Sequence, residues 1–134
     1  MAIEPYLFFQ GRAEEAIAFY EKALGAKRVM LMRFKDNPDA PAPPPPELAD
    51  KVMHARLEIG GEVILLSDGH GSQGPQFQGF ALTLTVADAA LADKAFAALS
   101  EGGHVMQPLQ KTFFSERFGM AQDPFGVLWI VYVG

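Results

Sequence analysis

Three side chains at alternate positions, His54, Arg56 and Glu58, offer an imidazole, a guanidinium and a carboxylate on one side of an extended segment. In "KVMHARLEI" the interleaved residues Met53, Ala55, Leu57 and Ile59 are apolar, so a strand here turns one face to a core and these three polar groups the other way. An imidazole titrates near neutrality and suits a general base, and His54 is the candidate for that role. It reads equally as a hydrogen-bonded histidine on a sheet face. Arg56 fits an anionic ligand or an ion pair with Glu58 or another sheet-face carboxylate. A second group lies in "TFFSERFG". As a continuous strand, this segment sets Phe114, Glu116 and Phe118 on one face, a plausible binding wall, and Phe113, Ser115 and Arg117 on the other. Asp68 ends a strand and reads as a turn former, or as an acid standing behind the site. His54, Glu58, Asp68 and Glu116 together carry enough N and O donors for a zinc or manganese ion, although their spacing does not require one. His70, in a loop, and His104, at a strand start, are expected to be solvated.

The elements that must position these groups come from hydrophobic periodicity. Ile3 to Phe9 reads as a strand. In "RAEEAIAFYEKALGA", Ala13, Ala16, Ile17, Tyr20 and Leu24 share a helical face and Gly25 supplies the stop. "KRVMLMRF" follows as a strand. "DNPDAPAPPPPELAD" then holds six of the ten prolines and reads as a stiff extended connector, or as a polyproline ligand for a partner domain. A hairpin comes next, with strands 52–59 and 62–67 about Gly60-Gly61. "GHGSQGPQFQG" is glycine-rich, but no Lys-Ser/Thr or helix follows it, so it reads as a flexible connector and not a phosphate cradle.

The pattern then restarts. "FALTLTVAD" alternates Leu82, Leu84 and Val86 with Thr83 and Thr85, and Asp88 is placed to cap a helix whose apolar face is Ala92, Ala95, Phe96 and Leu99. Strands are expected at 104–109, 112–122 and 127–133. A shift of about 76 positions lays Ala13 on Ala89, Ala16 on Ala92, Tyr20 on Phe96, and Val29-Met30 on Val105-Met106. Both halves read strand, helix, three strands, which points to internal duplication. The expectation is one α+β domain of two βαβββ modules, about 1–68 and 77–134.

Composition narrows the function classes. Of 134 residues 49% are apolar and 20% charged, the balance of a globular chain able to bury a core. With no cysteine, disulfides, thiolate metal sites and a cysteine nucleophile are excluded. A net charge of −5 without a basic cluster argues against nucleic acid. The N-terminus lacks a basic signal-peptide region and no apolar run suits a membrane span, so the expected location is the cytoplasm.

The stretches "PYLFFQGRAEEAIAFY", "MHARLEIGGEVILLSDG", "GFALTLTV" and "TFFSERFGMAQDPFGVLWIV", in this order and over the whole chain, resemble the vicinal oxygen chelate superfamily of glyoxalase I, bleomycin- and fosfomycin-resistance proteins and extradiol dioxygenases. They are most similar to its PhnB-like branch, often labelled 3-demethylubiquinone-9 3-methyltransferase. The resemblance implies two modules whose mixed sheets curve around a cup within a homodimer. It also implies four metal-ligand positions, which fall on Pro5, Leu65, Ala81 (or Phe80 with a register slip) and Ile130. None of these side chains offers a donor atom, so no metal and no other cofactor is expected. If Leu65 faces the cup, Val63 and Ser67 do too. If Ile130 does, Leu128 and Tyr132 join it and Trp129 faces the helices. The methyltransferase label has no counterpart in the residues, since no glycine-rich strand-to-helix turn of a parallel sheet occurs.

Three functions remain open at this level. One is a metal-free protein binding a small aromatic or anionic molecule, with Arg56, Glu58, Ser67, Phe114, Glu116 and Phe118 as contacts. Another is a lyase, isomerase or oxygenase with a displaced metal or with His54 as base. The last is a dimeric module with no ligand, its cup filled by its own side chains. An open volume of a few hundred cubic ångströms would separate the first from the last.

Overall fold

Apolar alternation along the strands and a helical apolar stripe after each first strand produce the same order of elements twice. The computed structural model describes residues 1–69 and 77–134. It divides into two compact units, Met1–Pro75 and Gln76–Gly134. His70 and most of the glycine-rich connector lie outside the described residues.

In the first unit β1 (Tyr6–Phe8), α1 (Ala13–Leu24), β2 (Lys27–Arg33), a short helix α2 (Pro46–Ala49), β3 (Val52–Ile59) and β4 (Glu62–Ser67) follow in turn. The sheet order is β1-β4-β3-β2, with β1 parallel to β4 and the other pairs antiparallel. The hairpin strands have the bounds expected from the sequence. Ala55 and Leu57 of β3, Ile64 and Leu66 of β4 and Leu7 of β1 are buried on one sheet face, as are Ala13, Ala16, Ile17 and Tyr20 of α1. Burial of each of the larger side chains is worth roughly 1.5–3 kcal/mol. Gly25 ends α1 in the left-handed conformation (φ 66°), and its N–H donates to the Glu21 carbonyl.

Two expectations change here. The strand expected over 3–9 is only three residues long, although the Phe9 N–H still donates to the Ser67 carbonyl at 2.9 Å. The proline-rich segment is not extended throughout. It opens with a 3-10 turn at Phe34–Asp36 and closes with α2, where Pro46 takes a first-turn position that has no use for an N–H.

In the second unit β5 (Leu82–Val86), α3 (Ala89–Ser100), β6 (His104–Gln110), β7 (Phe118–Gln122) and β8 (Leu128–Val133) form a sheet of order β5-β8-β7-β6, the same topology. Asp88 caps α3, its Oδ1 accepting the Leu91 N–H at 2.9 Å, and Ala92, Ala95, Phe96 and Leu99 are its buried residues. The strand expected from 112 begins instead at Phe118. Residues 112–115 close a turn: the Thr112 N–H donates to the Ser115 carbonyl at 2.9 Å and the Ser115 N–H to Thr112 Oγ1 at 3.1 Å. Ser115 is buried, and its hydroxyl is 2.8 Å from the Val133 carbonyl. These local bonds displace the ladder there.

Candidate functional site

Register identifies which side chains share the face of the β1-β4-β3-β2 sheet opposite its buried residues. Leu65 of β4 stands level with Tyr6 of β1 and Arg56 of β3, Glu58 stands level with Val63, and Ser67 with Phe8. Met32 and Met30 of β2 stand level with His54 and Arg56. Tyr6, Phe8, Met30, Met32, His54, Arg56, Glu58, Val63, Leu65 and Ser67 therefore belong to one open face. The resemblance put its first metal-ligand position on Pro5. The register corrects this. The Pro5 carbonyl accepts the Leu65 N–H at 2.9 Å, and the side chain sharing Leu65's face is that of Tyr6.

The polar centre of this face is a pair. Tyr6 Oη lies 2.8 Å from His54 Nδ1, with the ring centroids 5.5 Å apart. Tyr6 also stacks on Phe8 at 4.9 Å, and Phe8 is half exposed. Burial raises the Tyr6 pKa above its ordinary 10.0, and hydrogen bonding with the Ser67 hydroxyl works against that rise. Ser67 is itself buried and accepts the Gly69 N–H at 2.8 Å. Arg56 pairs with Glu4 at 3.4 Å, so its carboxylate partner comes from the N-terminal segment.

Asp68 is neither a turn former nor an acid of the site. Its buried carboxylate accepts the N–H groups of Gly11 (2.6 Å) and Ala13 (2.9 Å) through Oδ1, and that of Val52 (2.8 Å) through Oδ2. Arg12, at the cap position of α1, makes no side-chain cap bond, and Asp68 performs the capping from the end of β4. The set His54, Glu58, Asp68 and Glu116 is thereby dismantled as a displaced metal site. Among the described residues no three His, Asp or Glu side chains group as a metal set. Leu65, Ala81 and Ile130 have no donor atoms, so the residues present do not fit the metal that the resemblance implies.

In the second unit, Thr83 stands level with Ile130 and Thr85 with Tyr132, while Met120 and Phe118 flank Ile130 and Tyr132 from β7. Trp129 faces the other way, is buried, and donates through Nε1 to Asp123 Oδ2 at 2.9 Å. Phe114 does meet Phe118, at 5.3 Å, and Phe118 meets Tyr132 at 6.2 Å. The alternation expected through 113–118 is replaced by the turn. Phe113 and Phe114 are both exposed and 5.1 Å apart, and Glu116 is exposed with its carbonyl accepting from Arg117.

A cleft of about 620 Å³ lies elsewhere in the first unit, beside the first turn of α1, lined by Glu14, Arg33, Asp50, Lys51 and Asp68 among others. Its cations are already engaged. Arg33 forks onto Glu14 at 2.9 Å through both terminal nitrogens, and Lys51 donates to the Gly11 carbonyl. The open sheet face, with its half-exposed aromatic and polar side chains, is the better site.

Sequence reasoning missed Tyr6. The alternation of Tyr6 and Phe8 with buried Leu7 and Phe9 carried the signal, since a strand that buries one pair must expose the other.

This geometry belongs to a recognised class. Residues 2–131 match the family model of the Glyoxalase/Bleomycin resistance protein/Dioxygenase superfamily, and the chain belongs to that superfamily. It is 31% identical over 140 residues to Protein YjdN of Escherichia coli K12, across 99% of this chain and 95% of YjdN. Among solved structures it is similar to protein PA1353 from Pseudomonas aeruginosa, at 38% identity and TM-score 0.85 over 99% of this chain and 97% of that one. A PhnB protein from Bacillus cereus, which carries a 3-demethylubiquinone-9 3-methyltransferase label, matches at 25% identity and TM-score 0.82 over the full length of both chains. No helix among the described residues is long and apolar enough to cross a membrane.

Proposed function

We propose that this chain is a small-molecule-binding member of the superfamily that works without a metal or other cofactor, as one domain of two modules in a homodimer. The binding residues are His54, Arg56, Glu58 and Ser67 of the first unit, whose open sheet face receives the ligand, and, in the second unit, Phe114, Glu116 and Phe118. The observation that carries the reading is Leu65. It falls where the resemblance puts a metal ligand, offers no donor, and is flanked in register by a phenol and a guanidinium. Such a face suits a molecule with an apolar or aromatic body and an anionic or carbonyl end. Exposed Val29, Met30, Val105 and Met106 on the edge strands β2 and β6 support self-association.

The methyltransferase label of the Bacillus cereus relative is not carried over. β1 enters α1 through Gln10-Gly11-Arg12, and the Gly11 amide is held by Asp68, so no glycine-rich cradle for a nucleoside cofactor stands there.

A thermal-shift screen of aromatic acids and ketones, with hits mapped by ¹H–¹⁵N correlation spectra, tests the reading. Hits should shift resonances of Tyr6, His54, Arg56 and Leu65. Hits that leave these unmoved and cluster at the α1 cleft would sink it.

A further inference from the structure

We propose that Tyr6 fixes His54 as a hydrogen-bond donor, presenting its Nε2–H to a carboxylate or carbonyl oxygen of the bound molecule. This rests on the reading that the open face of the first unit takes a ligand, and it assigns the polar contact made there. Tyr6 is a positioning residue and His54 the binding one.

A neutral imidazole carries a single N–H, so the bond made by one ring nitrogen decides what the other can do. Here the bonded nitrogen is Nδ1, with Tyr6 Oη at 2.8 Å. The direction of that bond follows from the chemistry of the two groups. A phenol O–H is a stronger donor than a neutral imidazole N–H, and an unprotonated imidazole nitrogen is a stronger acceptor than a phenol oxygen, so the phenol proton is directed to His54 Nδ1. Burial favours the protonated phenol, which is the state this direction needs. Nε2 carries the remaining proton.

The surroundings set the ligand class. Arg56 stands two residues along the same strand and the same face, part exposed and held by a single 3.4 Å contact to Glu4. Lys27 of β2 stands level with Glu58 further along. Leu65, Met30, Met32 and the exposed ring of Phe8 supply apolar surface. A donor and a cation above apolar and aromatic side chains fit a small aromatic acid or an aromatic ketone. Neutral His54 held this way has no lone pair at Nε2, so it does not act there as a general base.

Long-range ¹H–¹⁵N spectra of the imidazole, recorded on the full chain above the histidine pKa, read the tautomer directly, and benzoate serves as the probe. The wild type should hold the Nε2–H form, and benzoate should shift the Nε2 and Hε2 signals. In Tyr6→Phe the two tautomers should mix and benzoate affinity fall about tenfold, the loss of roughly one oriented hydrogen bond. His54→Gln, whose amide still donates, should retain more benzoate binding than His54→Ala. An Nδ1–H tautomer in the wild type would overturn the assignment of Tyr6 whether or not benzoate binds. An Nε2–H tautomer with benzoate unbound, or bound with His54 unmoved, would overturn the ligand class and leave the tautomer standing, so the two failures are distinguishable.

Discussion

The two units share a topology and differ in how they finish it. Both place a helix after their first strand, and both must satisfy its first N–H groups. The second unit does so locally, with Asp88 three residues before the Leu91 amide it receives. The first does so from a distance. Asp68, at the far end of the hairpin, reaches back 57 positions to Gly11 and 55 to Ala13, and also holds the Val52 amide at the start of β3. The second unit has its own buried aspartate, Asp123, but assigns it to a turn and a ring. It accepts from the amides of Phe125 and Val127 and from the Trp129 indole. The open faces differ as well. That of the first unit carries the Tyr6–His54 pair and Arg56, whereas that of the second carries threonines and apolar side chains around Ile130. Repetition of a fold therefore constrains the backbone and leaves the polar chemistry of each copy free to diverge.

Substitutions of the aspartates probe this contrast in descending order of effect. Asp68→Ala strands three amide donors, two of them in buried bonds, and joins loss of the α1 cap to loss of a strand tie. A destabilisation of about 3–5 kcal/mol is expected by chemical denaturation. A loss below 1 kcal/mol would show that α1 does not depend on the remote carboxylate. Asp123→Ala should cost about 2–3 kcal/mol and change the fluorescence of Trp129, the single tryptophan, as its Nε1–H loses a buried acceptor. Asp88→Ala removes one exposed cap bond and should cost only about 1 kcal/mol in the same assay. If Asp88→Ala proved worse than Asp68→Ala, the local and remote solutions would have been ranked the wrong way round.

The smallest effect belongs to the exposed network on the first unit. Glu14 meets Arg33 at 2.9 Å and Arg28 at 3.5 Å, and the hydrogen bond from Arg33 is the main reason its pKa falls below the ordinary 4.5. A depressed folded-state pKa gives stability that is present above the unfolded value and lost as pH falls through the folded one. Glu14→Gln should lower stability slightly near neutrality, less so in high salt because the pair is largely exposed, and converge with the wild type below about pH 4.5, where that acid-side slope would otherwise lie. A parallel slope in the variant would assign the acid dependence to other carboxylates.

What the sequence made legible was local. The hairpin 52–59/62–67, the apolar stripes of α1 and α3, Gly25 as a stop and Asp88 as a cap all depend on residues within a turn or two of one another. The side of β3 that bears His54, Arg56 and Glu58 followed from alternation alone. The Tyr6–His54 bond spans 48 positions and depends on β1 pairing parallel to β4 in a particular register, which alternation does not supply. Anchoring on the helix motif placed the comparable position one residue early, at Pro5. Asp68 had the composition of a turn residue, and only the return of β4 beside β1 brings it to the start of α1. The turn at 112–115 defeated a strand pattern because Thr112 and Ser115 satisfy each other's backbone groups.

On the proposed binding face of the first unit, Leu65 stands where the resemblance puts a metal ligand, and the chain is proposed to work without one. Metal content by plasma mass spectrometry, on protein purified without chelator or affinity tag, tests it most directly. Zinc, manganese, nickel and iron are expected far below one equivalent per chain. Near-stoichiometric metal, lost on Tyr6→Phe or His54→Ala, would contradict it and make this face a metal centre.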